Sequence, residues 1–319
     1  MVLACALLFA FLLDRAFGEP GARWHPVVWM GKYLGWIGSR IAPREALPSP
    51  DWRSFWAGAL AWYGGAVIVA LAAWLLQFFL LRFAVQRDDP WLAALALGAL
   101  LKPMLAWRML HSEVQAVEAA LAESLESGRR RLGLLVSREV MQLQDDEVRE
   151  SAIESLAENL NDSVVAPVFW FVVAGLPGAV LYRYANTADA MWGYRGFRAG
   201  LDWEWAGKWA ARVDDALSWI PARITALLLA IVAGGLSLQR VRGEAAHTPS
   251  PNSGWPMAAM ALALGVRLRK PGVYALNEEG REPLAADTSR AVTLAARAIA
   301  VLLAAASLAL WLRPVWELP

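Results

Sequence analysis

Long apolar runs limit what this chain can fold into more than any other feature. Phe55–Leu81 carries no charged residue, and about 20 apolar residues in a helix are enough to cross the hydrocarbon core of a bilayer. Ala291–Leu312 qualifies as well, despite Arg297, and Pro221–Leu238 and Ser163–Tyr182 are further candidates. Trp91–Trp107 is weaker, because Lys102 and Pro103 interrupt it. Met1–Leu13 is short and runs into Asp14 and Arg15. It has neither a basic start nor a small-residue cleavage site, so it reads as a partly inserted or helix-packed segment and not as a signal peptide. Trp255–Val266 is about half a span, which suits a re-entrant or buried helix.

The fold class expected is all-α: a polytopic integral membrane helical bundle in one domain, residues 1–319. Apolar segments near 2–13, 55–81, 91–107, 163–182, 221–238, 255–266 and 291–312 alternate with polar, partly helical loops at 14–54, 108–162, 183–219 and 239–290. Composition agrees. The chain is 58% hydrophobic and 18% charged, against about 45–50% and 25% in soluble domains. A net charge of +1 gives no basic field for nucleic acid. The single cysteine, Cys5, excludes a disulfide framework and a cysteine-built metal site. Many of the 18 tryptophans flank apolar runs, among them Trp52, Trp56, Trp91, Trp107, Trp219, Trp311 and Trp316, as expected of anchors at a lipid–water boundary.

The long polar loops each carry several Arg or Lys, which the positive-inside rule would place in the cytoplasm. A single straight crossing by Ser163–Tyr182 would put its two flanking loops on opposite sides. Pro167, Gly175, Pro177 and Gly178 make that run a poor straight helix, so a broken or re-entrant segment is expected.

Ser112–Ser127 reads as an amphipathic helix, ended by Gly128 and Arg129–Arg131. The arginines suit a helix C-terminus or a phosphate. Asp145–Asn161 reads as a second helix, with Glu147, Glu150, Glu154 and Glu158 on one face. Like charges so spaced repel, and the stripe is either a solvated face or one that meets a cation. Asn159, Asn161 and Asp162 follow at its end, where hard oxygen ligands would suit Mg²⁺ with substrate phosphates. Beyond the next apolar run come Asn186, Thr187, Asp189, Arg195 and Arg198, either a capped interfacial loop or a holder for a metal–phosphate unit. Arg212, Asp214 and Asp215 precede Pro221 and Arg223. Arg223 either pairs with one of those acids or recruits a phosphate or carboxylate. His25 and His247 lie in Pro-rich irregular segments, where function concentrates. With His111 they show no zinc spacing, and no phosphate-loop or dinucleotide fingerprint occurs.

Taken together, LLDRAFGEP with HPVVWMGK, AIESLAENLND followed by VVAP, GLPGAVLYRYANTADAMWGYR, WAARVDDALSWIPARITALLLA and HTPSPNSGWPMAAMALALGVRL resemble the adenosylcobinamide-phosphate synthase family of cobalamin biosynthesis. The motifs stand in the family order and cover most of the chain. Ser163 stands where the family has Gly, Ser137-Arg138-Glu139 replaces a G-R-D-like segment, and Glu19 stands in the G-D-P turn.

The resemblance implies an ATP- and Mg²⁺-dependent amide ligase. Its substrates would be adenosylcobyric acid, through a propionate carboxylate, and (R)-1-amino-2-propanol phosphate or a related amino-alcohol. It implies a multi-pass protein of the cell inner membrane with a cytoplasmic-facing site, in a lipid bilayer and beside other late cobalamin-pathway membrane enzymes. On this reading Glu154, Glu158 and Asp189 are catalytic. Glu158 and Asp162, with Asp214 and Asp215, are Mg²⁺ ligands. Arg195, Arg212 and Arg223 clamp phosphate or carboxylate, and His25, Asn159, Asn186, His247 and Asn252 orient substrates. A non-catalytic membrane sensor of the same superfamily and a corrinoid carrier are the alternatives.

Overall fold

The computed structural model describes residues 1–45, 49–136 and 138–312; Ser137 and Trp316, named above, lie outside them. Helices dominate, and five helical stretches are long and apolar enough to cross a membrane: Trp52–Arg87, Pro90–Glu123, Asp145–Trp192, Lys208–Val232 and Ala285–Leu312. The protein is an all-α, multi-pass membrane protein. The packing groups the chain into two compact units. The first comprises Met1–Leu105, Ala166–Leu217 and the chain from Ala306 onward; the second comprises Ala106–Val165 and Ser218–Ala305.

In the first unit, α1 (Val2–Phe17) packs along α4 (Pro90–Leu101). Ala4, Ala6, Leu7 and Ala10 face inward, and Gly98 of α4 sits so close to the Ala6 carbonyl that a side chain there would collide with it. Small residues permit such close backbone approach between membrane helices. The expected polar loop 14–54 contains a helix, α2 (Pro26–Ile41). Pro26 opens it, and His25 caps it by accepting the Val27 N–H at 3.2 Å. α3 (Trp52–Arg87) holds the charge-free run; Leu60, Val67, Ile68, Leu71 and Phe79 lie exposed along it, as a lipid-facing surface requires.

α3 packs on α8 (Ala166–Trp192), the run expected to be broken. The break falls at Ala174 and Gly175, with Gly175 at φ +66° and ψ −154°, a conformation open essentially to glycine alone. The freed Leu176 N–H donates to Gln77 Oε1 of α3 at 2.7 Å. The prolines therefore mark the neighbourhood of the break and not its position. Two two-residue strands, β1 (Phe197–Arg198) and β2 (Leu201–Asp202), and the first part of α9 (Lys208–Val232) complete this unit.

The second unit begins with α5 (Trp107–Glu123) and α6 (Leu125–Leu132). One helix is expected here, but the chain turns at Ser124, which is extended and accepts the Ser127 N–H to cap α6. The three arginines lie in α6 and are committed locally: Arg129 to the Leu143 carbonyl, Arg130 to Glu126 and Arg131 to Glu113, each at 2.6 Å. Val117, Leu121, Leu132, Val140, Leu143, Val148 and Ala152 form the core beneath α7 (Asp145–Leu160). α7 continues through one π-helical turn, Asn161–Val165.

The apolar run from Pro221 does not reach Leu238. α9 stops at Val232, and Gly234 and Gly235, at φ +86° and +109°, turn the chain back into α10 (Leu238–Ala245). α11 (Gly254–Leu264), the hairpin of β3 (Leu268–Lys270) and β4 (Tyr274–Leu276), and α12 (Ala285–Leu312) follow.

Candidate active site

The acidic face of α7 meets cations, and the protein itself supplies them. Glu147 serves the helix start, accepting the Gln144 N–H at 2.8 Å. Glu150 is fully buried. It accepts the Arg269 backbone N–H at 3.0 Å and its Nε at 3.1 Å, with Arg267 Nε at 3.6 Å, while Asp146 takes Arg269 Nη2 at 2.7 Å. These pairs fasten the β3–β4 hairpin to α7.

One and two turns further on, the same face lines a cavity of about 190 Å³. Glu154, Glu158 and Asn159 come from α7, Arg138 from the preceding segment, and Lys270 and Tyr274 from the hairpin. Arg138 Nη2 lies 3.0 Å from Glu154 Oε2 and also donates to Ser151 Oγ. The Tyr274 hydroxyl lies 3.8 Å from the Met257 sulfur and near enough to Glu154 to feel its charge, and Asn159 Nδ2 is held by the Ser155 carbonyl at 3.0 Å. Two cations and two carboxylates face one small space.

α7 carries six acids between Asp145 and Glu158 and lies ahead of the apolar part of its stretch, outside the membrane-spanning portion. Burial raises the pKa of Glu154 against the pull of Arg138. Desolvation against the cavity walls, then the negative charges of Asp162 and Glu154, raise Glu158 to about 7, although the residue as a whole is exposed. Burial and the Glu154 charge raise Tyr274 as well.

At the π turn, Asn161 Nδ2 donates to Asp162 Oδ1 at 2.8 Å, and Asn161 Oδ1 accepts from the buried Thr225 at 3.1 Å. Single π turns recur at functional sites. Arg223 and Asn252 come together at 2.8 Å. Arg223 also donates to the Trp219 and Pro251 carbonyls at 2.8 and 3.0 Å and lies against the rings of Trp219 and Trp255. The guanidinium thus fixes the loop before α11. His247 is exposed, 3.6 Å from Glu244.

The remaining sequence-predicted residues lie in the first unit. His25 Nε2 is 2.9 Å from Glu19, which is 3.1 Å from Lys102 Nζ; Lys102 is 3.4 Å from the fully buried Asp14. Burial would raise the Glu19 pKa, but the His25 hydrogen bond and the Lys102 charge outweigh it and hold the carboxyl below its usual range. Asn186 and Asp189 share a face near the end of α8, Arg195 and Arg212 are exposed, and Asp189, Asp214 and Asp215 all have bonding or electrostatic partners. The expected ligand set is therefore divided, with Glu158 and Asp162 in one unit and Asp214 and Asp215 in the other. Among the described residues no three His, Cys, Asp or Glu side chains converge as a ready metal site.

Sequence reading did not name Lys270 or Tyr274 as site residues, nor Arg138 beyond its motif. The signal available for the first two was the Lys270-Pro271-Gly272 turn, which marks a hairpin but not what it faces.

These features define a multi-pass α-helical membrane protein with a small, charge-balanced cavity against a polar helix. Residues 7–305 match the family described as CobD/Cbib protein. The probable cobalamin biosynthesis protein CobD of Methanothermobacter thermautotrophicus is 41% identical over 280 residues, 85% of this chain and 86% of its own. That of Thermococcus kodakarensis is 43% identical over 289 residues, 90% and 89% of the two chains. The cobalamin biosynthesis protein CobD of Chromobacterium violaceum is 41% identical over 305 residues, 92% of each chain. The chain belongs to the CobD/Cbib family. No solved structure matches it.

Proposed function

We propose that this protein works in cobalamin biosynthesis as an amide ligase, joining (R)-1-amino-2-propanol phosphate, or a close amino-alcohol phosphate, to a propionate carboxylate of adenosylcobyric acid. The observation that carries this reading is the cavity beside α7. Its volume, about 190 Å³, suits a small molecule and not a corrinoid. Its paired cations and carboxylates suit a zwitterion, with phosphate toward Arg138 and Lys270 and ammonium toward Glu158.

A carboxylate is a poor acyl donor. ATP converts it to an acyl phosphate or adenylate, and the amine nitrogen then attacks the carbonyl carbon. The C–N bond forms, phosphate or AMP leaves with the C–O bonding pair, and the amine proton passes to a base. Glu158, with a pKa of about 7, is matched to that task near neutral pH, and Glu154 holds Arg138 in place. Glu158 and Asp162 are one helical turn apart, close enough for the Asp162 charge to act on Glu158. Asp162, with phosphate oxygens to complete the shell, is the carboxylate that would hold Mg²⁺, which leaves Glu158 free to take the proton. When bound, that ion would neutralise phosphate charge. On this reading, a supply of ATP calls for a site that faces the cytoplasmic side of the inner membrane.

Calorimetric titration of the purified protein with aminopropanol phosphate tests the assignment. Loss of one charge-assisted contact is worth about 1.5–3 kcal/mol, so Lys270→Gln should bind roughly 10- to 100-fold more weakly. Unchanged affinity in both Lys270→Gln and Glu158→Gln would remove this cavity from the reaction.

A further inference from the structure

A second basic cavity, of about 390 Å³, lies along α12 in the second unit, and the ligase reading does not use it. Arg290 and Arg297 line it, with Ser289, Thr293 and Leu294 from the same helix, and Val232, Ala233 and Ala263 form an apolar wall. Ser289, Thr293 and Arg297 recur every four residues and Arg290 is seven from Arg297, so one helix face presents them. No carboxylate lines the cavity. The nearest on α12, Asp287, already accepts from Arg281 at 2.6 and 2.8 Å, from Arg290 at 2.9 Å and from the Leu284 N–H. Thr293 donates its hydroxyl to the Ser289 carbonyl. That leaves the two guanidiniums and the Ser289 hydroxyl as donors toward the cavity. Among the described residues, the Arg297 guanidinium has neither an ion pair nor a hydrogen bond.

Arg297 also occupies an unusual place. It stands inside a helix apolar enough to cross a membrane, and no charge follows it through Leu312. An arginine there is costly unless its head reaches the interface. The anion available at an interface is a lipid phosphate, which a guanidinium can bind bidentately.

We propose that Arg297, with Arg290 and Ser289, binds the headgroup phosphate of an anionic phospholipid whose acyl chains lie against the apolar wall. Lipid is favoured over free phosphate because the donors open onto Leu294, Val232 and Ala263 and stand where the charge-free run begins.

The test uses the full chain, delipidated in a neutral detergent, with native mass spectrometry and thermal unfolding as readouts. Phosphatidylglycerol, phosphatidylcholine and inorganic phosphate are titrated separately. Phosphatidylglycerol should bind and stabilise in preference to phosphatidylcholine. Arg297→Gln should weaken its binding about fivefold, the contribution typical of one basic residue at an anionic surface. Arg297→Lys should retain most of the binding, and Arg82→Gln, on another helix, all of it. Circular dichroism establishes that each variant is folded. Equal binding by Arg297→Gln, equal retention of the neutral lipid, or displacement of phosphatidylglycerol by equimolar inorganic phosphate would each overturn the proposal.

Discussion

Arg138 and Glu154 lie 3.0 Å apart in the lining of the α7 cavity, and Glu154 is all but inaccessible to solvent. A buried carboxylate that loses its partner keeps its desolvation cost. Arg138→Ala should therefore lower stability by about 1.5–3 kcal/mol. Adding Glu154→Gln should restore part of it, because the neutral amide needs no counter-charge. Tryptophan-monitored thermal unfolding in detergent measures both; equal stability of wild type and Arg138→Ala would contradict the pairing.

Glu158 should set a pH dependence. Its folded pKa, about 7, lies above the ordinary carboxylate value, so the folded protein holds a proton that the unfolded chain releases. The contribution of this group to stability falls as pH rises from the ordinary carboxylate range to about 7 and is level above that. A base must be ionised, so turnover should rise with pH through an inflection near 7. In Glu158→Gln the residual rate should lack that inflection. An unchanged profile would assign the titration to another group.

In the first unit, Lys102 sits 3.4 Å from Asp14 and 3.1 Å from Glu19, with Asp14 fully buried. Lys102→Met strands negative charge in an apolar setting and should cost about 3–5 kcal/mol. The double variant with Asp14→Asn should recover a measurable share. Additive losses in that double-mutant cycle would show the two side chains to be uncoupled.

The break in α8 should depend on Gly175 and Gln77 together. Gly175→Ala places a Cβ at φ +66° against the Gln77 amide and should destabilise by about 1–3 kcal/mol. Gln77→Leu removes the acceptor of the Leu176 N–H, and an unsatisfied buried donor costs a similar amount, about 1–3 kcal/mol. Unfolding temperatures unchanged in both variants would mean the run is continuous in the membrane.

The elements legible in the sequence are those specified by local composition and period. The charge-free Phe55–Leu81 run lies within α3, the acidic periodicity matches α7 almost to the residue, and the glycines and prolines after Ser163 announce a break. Features decided by one residue's backbone were harder to read. Ser124 splits an amphipathic pattern that would continue as one helix, and Gly234 with Gly235 folds α10 back where apolar composition alone extends a span. The spacing of Glu150, Glu154 and Glu158 shows that they share a face, but it cannot name the partner. That partner is a hairpin more than a hundred residues away, whose Arg267, Arg269 and Lys270 look from sequence like ordinary loop cations. For the same reason Glu158 was legible as a candidate and Tyr274 was not.

The decisive experiment supplies the purified, detergent-solubilised protein with adenosylcobyric acid, aminopropanol phosphate, Mg²⁺ and ATP, and follows the corrinoid by mass spectrometry. Our reading expects the amide product, absent without ATP and reduced at least 100-fold in Glu158→Ala, the lower end of what a positioned general base supplies, about 10²–10⁴. Folded protein that binds the corrinoid yet forms no amide would contradict it and leave the sensor or carrier reading in its place.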